Sequence, residues 1–308
     1  MSLKIVTMDS MKIKISYLSK GFCLGVIFQS LIGYSLPSYS EVGDGLGESG
    51  SSSVAEAVNI QSSISELNQS MDLVGKSTIE KAKVGRALLV ISELDQRGVK
   101  ELRPIYKTLE SLAWSIPTQM PTLSSVYTHF KLVRDQRATI EGSQNALVSL
   151  LENPTVSHVD VVLGVHGLIN KIYFINGPIE AEQWVEGVKS KLSGDPSIQL
   201  KALSKLGLLY NLSCYGSSHN KAFLNLGFQV VVGSRSVNAN AELEYPWVFH
   251  WLSLGYSIKS AFAQPNSREW LYFADAPLRW LGQQQNSFLQ ETNSFKVIKG
   301  KKNYTIRD

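Results

Sequence analysis

Val159-Asp160-Val161-Val162-Leu163-Gly164-Val165-His166-Gly167 and, further on, Leu206-Gly207-Leu208-Leu209-Tyr210-Asn211-Leu212-Ser213-Cys214-Tyr215-Gly216 decide how this chain is read. Each stretch is a short, nearly continuous apolar run, the pattern of a strand buried on both faces of a parallel sheet. Each ends in residues with chemistry rather than in a plain turn. Working outward, Ala87–Ile91 is a third such run, and helical spacing at Leu102, Ile105, Leu109 and Leu112 follows it. Further strands are expected within Ser125–Val133 and Phe228–Val232, and helices over Ile140–Leu151, Ile179–Leu192, His219–Leu226 and Tyr245–Phe262. A hairpin is expected from Lys171 turning at Asn176-Gly177, and a second pairing Phe295–Ile298 with Tyr304–Ile306. Strands alternating with helices predict an α/β fold, a three-layer sandwich whose mostly parallel sheet carries helices on both faces.

In an open parallel sheet the chemistry collects beyond the carboxyl ends of the strands. Two ends here, His166-Gly167 and Ser213-Cys214, would be neighbours if their strands are. A thiol attacks as the thiolate, and a nearby imidazole can take its proton or hold it as an ion pair, which would lower the thiol's pKa. Gly167 has no Cβ, so its N–H can approach a reacting carbonyl and, with the N–H of Cys214, stabilise an oxyanion.

These two strand ends resemble the signature of the caspase-like (clan CD) cysteine peptidases: an apolar strand ending in His-Gly, then one ending in a small residue and Cys. His166 and Cys214 stand 48 residues apart, close to the caspase-type interval of about 50. The resemblance covers roughly residues 85–266. It implies a caspase-like fold, peptide-bond hydrolysis through a thioester, His166 and Cys214 as the catalytic pair, and Gly167 with Cys214 as the oxyanion hole. It also implies a pocket for the residue before the cut, walled by Leu212 and the Ser234-Arg235 loop. An inward Arg235 would favour an acidic side chain, an outward one a neutral pocket, and Glu242 and Glu244 would allow a basic one. Where caspases read Gln-Ala-Cys-x-Gly, this chain reads Leu212-Ser213-Cys214-Tyr215-Gly216. The likeness is therefore to the clan rather than to caspases proper. An inactive caspase-like interaction module and a non-peptidase acyl hydrolase or transferase using Cys214 stay open beside the peptidase.

The rest of the chain sets the context. Residues 1–40 run from Lys12, Lys14 and Lys20 through an apolar stretch to small residues at Ser38 and Ser40, a signal peptide cleaved before Glu41. An uncleaved membrane anchor is the alternative, although Gln29, Ser30 and Ser35 interrupt the run. That segment carries +3 of the formal +4, so the mature chain is left with +1 and no reason to bind nucleic acid. Cys23 leaves with the signal, and Cys214 remains as the one thiol of an exported protein. Residues 41–84 read as a Gly/Ser-rich linker and a helical extension, and 267–308 as a C-terminal addition. No cofactor and no metal is expected. His219 lies near Cys214, but two ligands make a poor zinc site, and His129, His158 and His250 read as surface or helix residues. The partner is a peptide or protein substrate, with no membrane span retained after cleavage.

Overall fold

The computed structural model describes residues 84–94, 103–239 and 241–307. The expected signal peptide, linker and helical extension lie outside the described residues.

The described residues begin with strand β1 (Gly85–Glu93), helix α1 (Arg103–Gln119), the single turn α2 (Pro121–Ser124) and β2 (Tyr127–Arg134). Helix α3 (Ile140–Leu151) leads to β3 (Val156–Leu168), and the hairpin β4 (Lys171–Phe174) and β5 (Gly177–Glu180) follows. Then come α4 (Ala181–Lys191), α5 (Pro196–Leu203), β6 (Leu206–Asn211), α6 (Asn220–Leu226) and β7 (Val230–Ser234). Helices α7 (Ala241–Ser253), α8 (Ile258–Ala261) and α9 (Arg268–Gln285) precede β8 (Lys296–Gly300). The sheet order is β2-β1-β3-β6-β7-β8. All neighbours are parallel except β8, which runs antiparallel to β7. The hairpin β4–β5 extends from the end of β3.

Alternation along the central strands sends side chains to two cores. Leu89, Ile91, Val161, Leu163, Val165 and Leu209 pack with Leu147, Trp184 and Phe223 of α3, α4 and α6. Leu88, Val90, Val162, Leu208 and Tyr210 pack with Ala113 of α1 and with Tyr245, Val248 and Phe249 of α7. The mixed, mostly parallel α/β sheet expected from the sequence is present, with apolar helical residues on each side of it.

Several elements differ from expectation for physical reasons. The long helix expected over Tyr245–Phe262 is two helices, because Gly255 takes φ +88° between them. The expected C-terminal hairpin does not form. Lys296–Gly300 pairs with β7 instead, while Tyr304 and Ile306 bury their side chains against the α7 side of the sheet. Residues 267–308, expected as an addition, thus supply the sheet's last strand. Helices α5 and α9 were not expected. Proline at the first turn and the Asp195 cap, which accepts from Ser197 N–H at 2.8 Å, explain α5.

A buried carboxylate gathers polar partners inside this largely apolar sheet. Asp160, fully buried in β3, accepts from Arg86 at 2.8 Å, Tyr127 Oη at 3.0 Å, Tyr304 Oη at 3.0 Å and the N–H of Leu208 at 2.6 Å. Removing one member of a buried pair strands the other charge, which costs about 3–5 kcal/mol. Asp160→Ala should lower unfolding stability in urea by that amount. A loss under 1 kcal/mol would show the cluster to be dispensable.

Candidate active site

His166 and Cys214 come from neighbouring parallel strands. Leu163 pairs with Asn211 across β3 and β6, and Leu212 N–H donates to Leu163 O at 2.9 Å, so the two chains leave the sheet side by side. The closest approach is at Gly167. A Cβ there would stand 2.5 Å from the carbonyl oxygen of Cys214 and 2.8 Å from Cβ of Ser213. Only glycine admits the Cys214 backbone this near to β3.

His166 does not lie past the end of its strand, as expected, but inside it. Pairing with Tyr173 of the hairpin carries β3 two residues further. The ring is half-buried and shares its face of the sheet with Val162. Tyr106 of α1 meets it edge-on, with ring centroids 5.1 Å apart and planes at 90°. Nε2 lies 2.8 Å from the carbonyl oxygen of Leu94, the residue after β1. A carbonyl only accepts, so in the neutral ring the proton sits on Nε2 and Nδ1 is the basic nitrogen. The order of strands reverses between β1 and β3, so this imidazole stands at the topological switch point of the sheet.

Cys214 is half-buried. Its sulfur accepts from the backbone N–H of Asn238 at 3.5 Å. The next residue, Tyr215, takes the left-handed conformation at φ 53°, an uncommon one for a tyrosine, and turns the chain sharply after the thiol. Tyr215 N–H donates to Ser236 O at 2.8 Å and Gly216 N–H to Ser213 O at 3.2 Å, which holds the turn. Asn211 braces it from below, accepting from Ser213 N–H at 3.0 Å and Ser213 Oγ at 2.6 Å. Asn211 also donates to Nδ1 of His219 at 3.0 Å, and Nε2–H of His219 donates to Leu168 O at 2.9 Å. His219 is thus a buried neutral histidine tying the ends of β3 and β6, and burial holds its pKa below the ordinary value.

Of the two arrangements expected, a thiol that gives its proton to the imidazole and a preformed ion pair, the electrostatics of the thiol run against the second. Burial pushes the Cys214 thiol up, and the Asn238 N–H and the charge of Lys296 oppose that without overcoming it. The resting group is therefore a neutral thiol.

The three residues expected around the substrate pocket are placed as follows. Leu212 is buried in the α1/α7 core, and its carbonyl accepts from Asn238 Nδ2 at 2.9 Å. Ser234 is buried and donates between the carbonyls of Ser213 at 2.9 Å and Ser236 at 3.0 Å. Arg235 is exposed, its guanidinium 4.8 Å over the Phe295 ring. Glu244 is fully buried against Lys296, away from any substrate side chain, and burial raises its pKa. Sequence reasoning missed Leu94, Tyr106, Asn238 and Lys296. They meet the site only through the topology, and none carries a local pattern.

No protein-family model and no curated protein sequence matches this chain. Among the described residues no group of three or more His, Cys, Asp or Glu could hold a metal ion, and no helix is long and apolar enough to cross a membrane.

Two outcomes follow from this geometry. Gly167→Ala forces Cβ into the Cys214 carbonyl, an overpacking that should cost about 1–3 kcal/mol in urea unfolding. An unchanged midpoint would mean that β3 and the thiol turn are not in contact. The raised thiol also predicts that iodoacetamide labels Cys214 more slowly at pH 7 than a free thiol. The rate should climb through a midpoint above the value of about 8.5 for an unhindered cysteine. A rate already maximal at pH 6–7 would indicate a preformed thiolate instead.

Proposed function

We propose that this chain is an exported cysteine peptidase of the caspase-like kind. His166 acts as acid and base, Cys214 as nucleophile, and the N–H groups of Gly167 and Cys214 as the oxyanion hole. The observation that carries the reading is the histidine's tautomer. With Nε2–H bound to Leu94 O, Nδ1 is the basic nitrogen of a ring whose strand is the parallel neighbour of the one leading to the thiol.

The chemistry then runs as an acyl transfer. His166 Nδ1 takes the Cys214 proton as sulfur bonds to the scissile carbonyl carbon, whose oxygen becomes the oxyanion. Collapse breaks the C–N bond, and the imidazolium gives its proton to the leaving amine. Water, deprotonated by the same nitrogen, then releases the acid from the thioester. A neutral resting thiol fits this sequence, because the proton moves only as the new bond forms. The carbonyl of Leu94 keeps the ring oriented throughout and favours the imidazolium by accepting from it.

Export is proposed on the pattern of residues 1–40 and on a mature chain with a single cysteine. For specificity, an outward Arg235 leaves the neutral pocket as the favoured version, with a small or apolar residue before the cut. A second reading, an inactive module that keeps the fold, is favoured by one observation, the burial that raises the thiol.

A peptide panel varied at the residue before the scissile bond tests these statements together. Wild type should release amine, and Cys214→Ala and His166→Ala should each reduce kcat/KM by at least about 10³-fold, consistent with loss of a nucleophile or its base. Turnover of acyl esters but not peptides would replace the peptidase by an acyl hydrolase. No turnover of either would favour the inactive module. A strong preference for Lys or Arg would refute the neutral pocket.

A further inference from the structure

Behind the thiol lies a buried charge that the acyl-transfer chemistry does not use. Lys296 of β8 and Glu244 of α7 are both fully buried, 2.7 Å apart. The lysine nitrogen makes three contacts: the Glu244 carboxylate at 2.7 Å, Ser294 O at 2.7 Å and Asn238 Oδ1 at 3.0 Å. All three partners are acceptors. A neutral amine has two hydrogens to offer and an ammonium three, so this cage fits the charged form. Burial lowers the lysine pKa, and the Glu244 carboxylate opposes that without overcoming it.

Asn238 joins this cation to the nucleophile. Its amide oxygen accepts a hydrogen bond from the lysine ammonium, which fixes the orientation of the amide. Its Nδ2 is thereby directed to Leu212 O at 2.9 Å, two residues before the cysteine. Its backbone N–H then meets Cys214 Sγ at 3.5 Å. One residue thus touches the cation, the strand carrying the thiol, and the sulfur itself.

We propose that Asn238 and Lys296 are positioning residues for the Cys214 nucleophile: the caged ammonium locks the Asn238 amide, which holds a backbone N–H on the sulfur and a fixed positive charge behind it. This rests on the reading of Cys214 as nucleophile and extends it to how the thiolate is accommodated as it forms. The lysine is fully buried, so its charge is poorly screened and acts on the sulfur across the intervening amide. Other titratable groups surround it. Tyr210 of β6 donates to Glu244. Asp275 of α9 is buried on Ser294, with Arg279 at 3.8 Å. Tyr215 beside the thiol donates to Glu291, and His166 stands at the neighbouring strand end. Of these groups, Lys296 is the buried cation whose charge acts to lower the thiol's pKa.

The test is the pH profile of Cys214 alkylation by iodoacetamide in the full chain carrying Cys23→Ser, from pH 6 to 10.5. Lys296→Met alone would strand the Glu244 charge, so the variant is Glu244→Gln with Lys296→Met, which removes both charges of the pair and keeps their bulk. Folding is checked by circular dichroism and thermal unfolding. The profile should move up by at least one pH unit, making labelling at pH 7.5 about tenfold slower. Asn238→Asp is the second variant. It keeps the backbone N–H but places a negative charge beside the sulfur and should shift the profile the same way. It decides the matter if the double variant does not fold. A loss of packing alone would lower the unfolding temperature without moving the profile. A folded double variant, or failing that a folded Asn238→Asp, whose profile overlays the wild type overturns the inference and leaves the peptidase reading standing. A folded wild type whose Cys214 is not alkylated at any pH overturns both.

Discussion

The carboxylate of Asp160 occupies a position in β3 where its neighbours are valines, and the register of the sheet is built around it. Pairing between β3 and β6 slips between Val159 and Val161, and at that point Oδ1 accepts the Leu208 N–H in place of a backbone carbonyl. Oδ2 meanwhile takes Arg86 from β1 and the Tyr127 hydroxyl from β2, and Tyr304 closes the cluster from the C-terminal segment. Burial works against the Arg86 charge, but Asp160 and the two tyrosines more than offset it, so the guanidinium stays protonated. Side chains on a strand alternate with a period of two. A slip of one residue here would turn His166 to the opposite face of the sheet. A buried carboxylate near the amino end thus decides where the imidazole stands at the carboxyl end.

The carboxyl end has its own buried pair, Lys296 with Glu244, and the two pairs act differently. Asp160 is shared among strands that are already adjacent, so it sets alignment. Lys296 sits on β8, which runs antiparallel to β7 and lies far along the chain from the other strands of the sheet. Through Asn238 it makes the position of the thiol depend on β8 having docked. The sulfur is then subject to two opposed influences. Removing it from water favours the neutral thiol, while an N–H and a cation favour the thiolate. Burial prevails at rest. That balance suits the nucleophile we propose, whose proton leaves only when the carbonyl carbon is at hand.

How much of this was legible in the sequence depended on whether the signal was local. The apolar runs of β1, β3 and β6 and the helix Ile140–Leu151 were read directly, because full burial leaves a continuous pattern and the breaker Asn153-Pro154 marks the helix end. His166, Gly167 and Cys214 were legible because each closes such a run. Asp160 stood in plain view inside one, yet its meaning lies in Arg86, Tyr127 and Tyr304, distant in sequence and gathered only by the fold. Lys296 was hidden for a related reason. A lysine in a short C-terminal strand reads as a solvated edge residue, and nothing local shows that Glu244, 52 residues earlier, will be buried against it. The break in the long helix was missed because a single glycine in an apolar run is tolerated by many helices. Here the decisive fact is its φ, which is a property of the backbone.

The thiol turn is fixed from both sides by backbone alone. On one side Gly167 of β3 lies against the Cys214 carbonyl. On the other, a Cβ on Gly233 of β7 would stand 2.3 Å from the carbonyl carbon of Gly216. The segment from Ser213 to Gly216 is therefore wedged between the ends of two strands of the same sheet. The left-handed φ at Tyr215 is what lets the chain reverse within so narrow a space. Side-chain contacts could relax by rotamer changes, but a wedge of main chain against main chain cannot. The strain at Tyr215 is held by the hydrogen bonds from its own N–H and from Gly216 N–H, and by the Tyr215 hydroxyl on Glu291. The sheet thus places the sulfur through its rigid edge, and the polar network around Asn211, Asn238 and Lys296 acts on a group whose position the backbone has already restricted.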